Sequence, residues 1–180
     1  MRVLIASDIH GRINSARKLE AAFLRVRPAR MILLGDYLYN GPRNGVPYDY
    51  DPMGVAVILN KFASLIIGVR GNCDSRIDES LLHWSFADSR VININGFRCD
   101  LIHGDLLTSE IVSVERGDIL MYGHTHVPML KKTDGVVYFN PGSVAFPKQD
   151  YPPSYGLMDG EHLEIRSLND DQPLMQLDLF

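Results

Sequence analysis

The stretch Met1-Arg2-Val3-Leu4-Ile5-Ala6-Ser7-Asp8-Ile9-His10-Gly11 decides how the rest of this chain is read. Val3 to Ala6 is apolar at every position, without alternation, which suits a strand covered on both faces. It breaks into Ser7-Asp8-Ile9-His10-Gly11, which ends the strand and sets an acid and an imidazole two positions apart. The same pattern recurs along the chain. Met31–Leu34 runs into Gly35-Asp36, and Leu65–Ile67 leads through Val69 into Gly71-Asn72-Cys73-Asp74. Leu101-Ile102 ends at His103-Gly104, Ile119–Tyr122 at Gly123-His124-Thr125-His126, and Val136–Phe139 at Asn140-Pro141-Gly142-Ser143.

Two helical patterns lie between the first three strands. Residues 14–26 place Ala16, Leu19, Ala22, Phe23 and Val26 on one stripe. Pro52 to Phe62 repeats this with Val55, Ile58, Leu59 and Phe62, opened by a proline suited to a first helical turn. The order βαβαβ predicts a parallel sheet with right-handed crossovers. After about residue 90 the strands come faster: 90–95 and 97–102 flank an Asn-Gly hairpin signal, and 127–139 reads as a second hairpin turning at Asp134-Gly135. The chain is therefore read as α/β, with two sheets face to face and helices outside. Without repeats, low-complexity tracts or charge blocks, residues 1–180 read as a single domain. The Pro- and Tyr-rich segment from Tyr37 to Pro52 is expected to be an ordered loop over the strand ends, where long loops are often functional.

Composition narrows the class. The 180 residues carry 18 Lys and Arg against 22 Asp and Glu, a net charge of −4, which argues against a long nucleic-acid track. Cys73 and Cys99 are too few for a disulfide framework and fit a reducing, cytoplasmic setting. The opening apolar run is too short for a signal peptide, and nothing approaches the roughly 20 apolar residues of a membrane span.

Asp8, His10, Asp36, Asn72, His103, His124 and His126 all fall at the carboxyl ends of predicted strands, where open α/β sheets bind ligands. Four of the six histidines belong to this set; His83 and His162 do not. Carboxylate, amide and imidazole donors suit Mn, Fe, Zn or Ni. Taken singly, Gly-Asp and Asn-Pro-Gly-Ser are ordinary turns, and Gly-His-Thr-His is explained by an exposed loop. Their conjunction, in one order and on one edge, is what points to metal chemistry.

In that order, Asp8-x-His10, Gly35-Asp36, Gly71-Asn72-x-Asp74, His103 and Gly123-His124-x-His126 resemble the signature of the calcineurin-like metallophosphoesterases. Gly41-Pro-Arg-Asn44, Gly71-Asn-Cys-Asp74 and Asn140-Pro-Gly-Ser143 look more narrowly like the small bacterial YfcE-type phosphodiesterases. The resemblance spans residues 1 to about 145. It implies a four-layer αββα sandwich of two mixed β-sheets flanked by helices, carrying two divalent metal ions, with Mn²⁺ expected and Zn²⁺, Fe²⁺ or Ni²⁺ as alternatives. By motif position, Asp8, His10, Asp36 and His126 would hold one metal. Asp36, Asn72, His103 and His124 would hold the other, with Asp36 bridging. A hydroxide shared by the two metals would then attack a small phosphodiester.

One departure from the superfamily pattern concerns chemistry. Cys73 stands where many superfamily members carry a histidine that resembles a general acid. A thiol is a weak donor, so substrates with good leaving groups are expected to be favoured. Cys73 also reads as a small buried filler or as a thiolate ligand. Arg43 and Asn44 are candidates for gripping the substrate phosphate or its alcohol, against the plainer reading of solvated loop residues. Arg70 is a weaker candidate. Tyr37, Tyr39, Tyr48 and Tyr50 either line the pocket or pack the loop down. An alternative from another class is a catalytically silent scaffold of the same fold that binds partner proteins, resembling the retromer subunit; all seven ligand positions being intact argues for the enzyme. A nuclease lacks its basic stripe, and no P-loop or dinucleotide fingerprint is present. A homo-oligomer is compatible with all of this.

Overall fold

Strand β1 (Arg2–Ala6) sits at the centre of the larger sheet in this computed structural model, which describes residues 1–106 and 113–180. Its side chains alternate between two cores, as the period of a strand requires. Val3 and Ile5 face the second sheet, and Leu4 and Ala6 face the helices. Both faces are buried, which is why the run shows no polar alternation.

Helix α1 (Ile13–Val26) buries Ala16, Leu19, Ala22 and Phe23 and ends where Arg27 turns left-handed at φ 52°. Strand β2 (Arg30–Leu33) then pairs parallel with β1, Val3 opposite Arg30 and Ala6 opposite Leu33. Helix α2 (Pro52–Asn60) opens with Pro52 in its first turn and is capped by Asp51, whose side chain accepts from the Gly54 amide at 2.8 Å. It stops two residues short of the expected Phe62. That ring leaves the helix to stack on Phe23, centroids 4.5 Å apart, and a 3₁₀ turn (Ala63–Leu65) leads into β3 (Ile66–Val69). After a second 3₁₀ turn (Arg76–Ser80), the short β4 (Phe86–Ala87) closes this edge of the sheet.

The second sheet has the order β5-β6-β7-β9-β8, with β5 (Ser89–Ile94), β6 (Phe97–Ile102), β7 (Ile119–Met121), β8 (Met129–Thr133) and β9 (Val136–Asn140). Both expected hairpins are present. Asn95 and Gly96 turn at φ 55° and 95°, and Asp134 and Gly135 at 54° and 88°, the positive values that a two-residue hairpin turn demands.

Four strands went unread in the sequence: the two-residue β4, and three at the carboxyl end. β10 (Ser154–Asp159), β11 (His162–Ser167) and β12 (Pro173–Asp178) extend the larger sheet beyond β1 as an antiparallel meander, giving the order β12-β11-β10-β1-β2-β3-β4. β10 contains Gly156 and β12 alternates only in part, but β11 (His162-Leu-Glu-Ile-Arg-Ser167) alternates polar with apolar side chains directly after a turn at Gly160, a strand signal that went unread. β1 defines β10: Arg2 to Ile5 pair with Asp159 to Gly156.

Both sheets are mixed, and they pack through Val3, Ile5, Ile32, Leu101, Met121 and Phe139 among others. Each such fully buried side chain contributes about 1.5–3 kcal/mol. Helices α1 and α2 cover the outer face of the larger sheet, and the described residues hold no further α-helix after Asn60. No described helix is long and apolar enough to cross a membrane. The ends of β1, β2, β3, β6 and β7 deliver their following loops to a common edge.

Candidate metal centre

The seven predicted residues arrive on those five strand ends. Five of them hold a left-handed backbone: Asp8 (φ 58°), His10 (51°), Asp36 (57°), His124 (63°) and His126 (61°). Such values are uncommon outside glycine, cost of order 1–3 kcal/mol each, and cluster at functional sites. Here they solve a geometric problem. Side chains two apart on a strand end can face one point only if the chain turns between them, and the left-handed residues supply that turn.

Surrounding hydrogen bonds impose the turn. The amides of Ile9 and His10 both donate to the Asp36 carbonyl at 2.9 Å, and the Ser143 hydroxyl donates to the Asp8 carbonyl at 2.9 Å. The His124 amide donates to Asp8 Oδ2 at 3.1 Å. Asp74 binds three amides at once, those of Asp36 (2.8 Å), Tyr37 (2.8 Å) and Gly71 (2.7 Å), tying the second loop to the third. Gly35 (φ 96°) packs so close to Gly71 that a Cβ there would lie 2.6 Å from its nitrogen, so neither glycine has room for a side chain. Asn140 reaches from the Asn-Pro-Gly-Ser turn to the Gly123 carbonyl at 2.8 Å and the Thr125 hydroxyl at 3.0 Å, bracing the loop that carries His124 and His126.

The side chains converge. His126 Nε2 lies 3.3 Å from Asp8 Oδ1 and 3.3 Å from His10 Nε2. Asp36 Oδ2 stands 3.5 Å from His10 Nε2 and 3.4 Å from His103 Nε2, between the two groups of histidines. Asn72 Oδ1 faces His103 Nε2 at 3.0 Å and His124 Nδ1 at 2.9 Å. The ligand atoms of Asp8, His10 and His126 all fall within 4.8 Å of one another, as do those of Asp8, Asp36 and His103.

Three histidines are pre-set for this. His10, His103 and His126 each place Nδ1 on a backbone carbonyl, of Tyr39 (2.9 Å), Leu34 (2.7 Å) and Phe146 (2.7 Å) respectively. That bond fixes Nδ1 as a protonated nitrogen and turns Nε2 toward the cluster, where its lone pair serves a metal once Nε2 has lost any proton, the usual arrangement of metal-binding histidine. Asp8 Oδ1 is buried with no hydrogen-bond partner, an orphaned anionic atom that a cation would satisfy. Among the described residues no Lys or Arg pairs with Asp8 or Asp36. The donors present therefore fit a divalent ion.

The electrostatics carry the same imprint. Burial works against the Asp36 carboxylate, but His103 and His10 outweigh it and hold its pKa at about 2. Burial likewise opposes charge on His103, yet Asp36 and Asp8 raise it to about 9. His124 shifts the other way, lowered by burial and then by the neighbouring His103. The carboxylates thus draw positive charge inward, and a proton on His103 occupies the place that a metal would contest.

The remaining candidates separate. Cys73 is half-buried, its amide donates to Asp36 Oδ1 at 2.8 Å, and its sulfur joins His10 and Asp36 in a third cluster. Burial, then the Asp36 carboxylate, pushes its thiol up to about 12, so in the metal-free protein the sulfur stays protonated. Its partial exposure opposes the buried-filler reading. Arg43 is exposed, and Asn44 donates to the Asn40 carbonyl of its own loop at 2.6 Å; neither hydrogen-bonds to any of the seven. Arg70 is held by Glu79 and Asp88 and lies over the Phe86 ring. Tyr37 is core, fully buried, whereas Tyr48 is 91% exposed. Asp74 and Asn140 are the supporting residues that had no assigned role. Both stand inside the Gly-Asn-Cys-Asp and Asn-Pro-Gly-Ser motifs, and the sequence signal for the role itself is an Asx residue placed to bond a nearby turn amide.

Comparison with known proteins followed the same edge. The family model for the calcineurin-like phosphoesterase superfamily domain matches residues 1–162. Phosphodiesterase YfcE of Escherichia coli K12 is 38% identical over 179 residues, covering 98% of this chain and 97% of that protein. The solved structure of the Escherichia coli YfcE phosphoesterase superposes with a TM-score of 0.95 at 37% identity, over 100% of both chains. A Vps29 variant from Entamoeba histolytica shares the fold, with a TM-score of 0.66 at 24% identity over 99% of both chains.

Proposed function

Because this chain belongs to the calcineurin-like phosphoesterase superfamily, we propose that it is a metal-dependent phosphodiesterase hydrolysing small phosphodiesters at a dinuclear centre. The observation that carries this reading is the pair of buried carboxylates, Asp8 and Asp36, faced by histidine nitrogens and by no described Lys or Arg. Asp8, His10, Asp36 and His126 would hold one ion, and Asp36, Asn72, His103 and His124 the other, with Asp36 shared. Mn²⁺ is the proposed metal, with Zn²⁺, Fe²⁺ and Ni²⁺ suited to the same donors. When bound, such a pair lowers the pKa of a water and neutralises charge on the phosphoryl oxygens.

The protein's own groups do the rest. The carbonyls of Tyr39, Leu34 and Phe146 keep three imidazoles in the ligating tautomer. Asn72 orients its amide oxygen between His103 and His124 while its nitrogen donates to Cys73 Sγ at 3.4 Å. A neutral thiol at position 73 offers little help to a departing alkoxide, so activated aryl phosphodiesters should outrun alkyl phosphomonoesters. Two unpaired thiols support a cytoplasmic setting.

The test is a metal-stripped and metal-restored assay, Mn²⁺ first, on aryl phosphodiesters beside phosphomonoesters. Restored diester turnover with weaker monoester turnover is expected; no turnover with any metal overturns the reading. Cys73→His is expected to flatten the dependence of rate on leaving-group pKa, since general-acid help is typically worth 10²–10⁴-fold. An unchanged dependence would remove Cys73 from the chemistry.

A further inference from the structure

Two hollows border the cluster and share no lining residue. One, of about 600 Å³, is edged by charged and polar groups, among them Arg70, Asn72, Asp88 and Asp105. The other, of about 360 Å³, runs from Cys73 between the Tyr-rich loop and the start of α2, over Leu38, Tyr39, Tyr50, Met53 and Leu81. Cys73 links this groove to the metal ligands, because its sulfur lies within 4.8 Å of both the His10 and Asp36 ligand atoms. The groove therefore opens directly beside the cluster.

The groove's chemistry is one-sided. Its described lining holds no Lys or Arg, and its acid, Asp78, is already engaged in the capping box of the 3₁₀ turn, accepting from the Ser75 amide at 2.8 Å. Tyr39 is 45% and Met53 55% exposed, so large apolar surface is left in water beside a buried charged site. Apolar surface placed so usually marks a binding face. Tyr39 is also fixed to the centre, since its carbonyl takes the His10 Nδ1 bond.

We propose that this groove is the subsite for one organic arm of the diester, and that the arm it accepts is uncharged and aromatic or otherwise apolar. The proposal rests on the phosphodiesterase reading above and adds the substrate class. A second phosphate or a polynucleotide would find no cation there. An aryl group would meet the tyrosine rings and the adaptable Met53 thioether.

The experiment holds the leaving group constant. With Mn²⁺-loaded protein, kcat/KM is measured for bis(4-nitrophenyl) phosphate and for methyl 4-nitrophenyl phosphate, and their ratio is compared between wild type and variants, which cancels intrinsic reactivity. Met53→Glu puts an acid in the first turn of α2, where the helix dipole favours it, so the variant should fold. It is expected to cut the aryl-over-methyl ratio about tenfold. Val57→Glu, one turn on and outside the groove, is expected to leave the ratio unchanged. Independently of turnover, 4-nitrophenol titrated into the metal-free protein is expected to shift the Met53 methyl resonance. Turnover of both diesters with the ratio unchanged in Met53→Glu overturns the subsite and leaves the phosphodiesterase reading standing. A Met53 resonance that does not move also overturns the subsite. Turnover of neither diester with any metal is the failure of the phosphodiesterase reading itself, and the Met53 shift then still decides whether the groove takes an aryl group.

Discussion

Among the buried or half-buried carboxylates of this molecule, those paired with arginine contrast with those at the candidate metal centre. Asp49 is paired with Arg12 at 2.8 Å, Asp118 with Arg98 at 2.6 Å, and Asp171 with Arg25 at 2.8 Å. Asp8 and Asp36 are at least as buried and face imidazoles, backbone amides and, at Asp36, the Cys73 thiol, with no Lys or Arg among the described residues. The first kind carries its counter-ion in the sequence. The second must take it from solution, and that difference separates a structural ion pair from a site, because a buried charge without a partner costs several kcal/mol.

The strongest way to break the contrast is Asp36→Asn. It keeps the shape and removes the charge shared by both proposed ion sites, so diester turnover should fall about a thousandfold or more. Retained activity would end the bridging assignment. Next comes the cation itself. Mn²⁺ at about a hundred times its dissociation constant should stabilise the chelator-stripped protein by about 2.7 kcal/mol, raising Tm by roughly 5–10 °C in a calorimetric scan. Asp36→Asn should blunt that rise, and Asp171→Asn should not. An equal rise in both variants would mean the metal binds elsewhere.

Asn140→Ala tests the bracing rather than the ligands. Removing the bonds to Gly123 and Thr125 should weaken metal affinity or activity about 10–100-fold, read by Mn²⁺ titration. The smallest effect belongs to the paired class. Burial opposes the Asp171 charge, but Tyr155 and Arg25 outweigh it and lower its pKa. Its stabilisation is therefore complete above the unfolded aspartate value of about 3.9 and lost as pH falls through the folded value. Asp171→Asn should cost about 1 kcal/mol near neutral pH, with the gap to wild type closing below about pH 4, in denaturant titrations. A gap that widens in acid would reverse the sign assigned here.

Much of this was readable before any coordinates. The runs at Val3–Ala6 and Met31–Leu34 are apolar throughout because both sheet faces are covered, and Asn95-Gly96 and Asp134-Gly135 turn as their φ preferences require. The seven ligand candidates were legible because each closes an apolar run, so one pattern marked both the strand and its functional end. β10 to β12 went unread. β11 pairs with β10 and β12, its neighbours in sequence, and shows the alternation of a strand, whereas β10 is set from afar by β1. Asp74 and Asn140 stood inside the motifs, but their bracing role was not legible, because a side chain that bonds loop backbone leaves no periodic trace. Asp8 Oδ1 without a partner and the groove beside Cys73 are properties of assembled surfaces alone.

The position of β10 has a consequence for how the protein is made. β1, which leads directly to Asp8 and His10, is bonded on one side to β2 and on the other to a strand some 150 residues later. On the ribosome, where chains emerge at about 5–20 residues per second, the amino-terminal half waits several seconds with that edge of β1 unpaired. The Ser143 hydroxyl that fixes the Asp8 carbonyl arrives almost as late. A chain arrested in translation between residues 126 and 154 therefore carries all seven candidate ligand side chains and an open sheet edge beside them, a species for chaperones to shield rather than a small working enzyme.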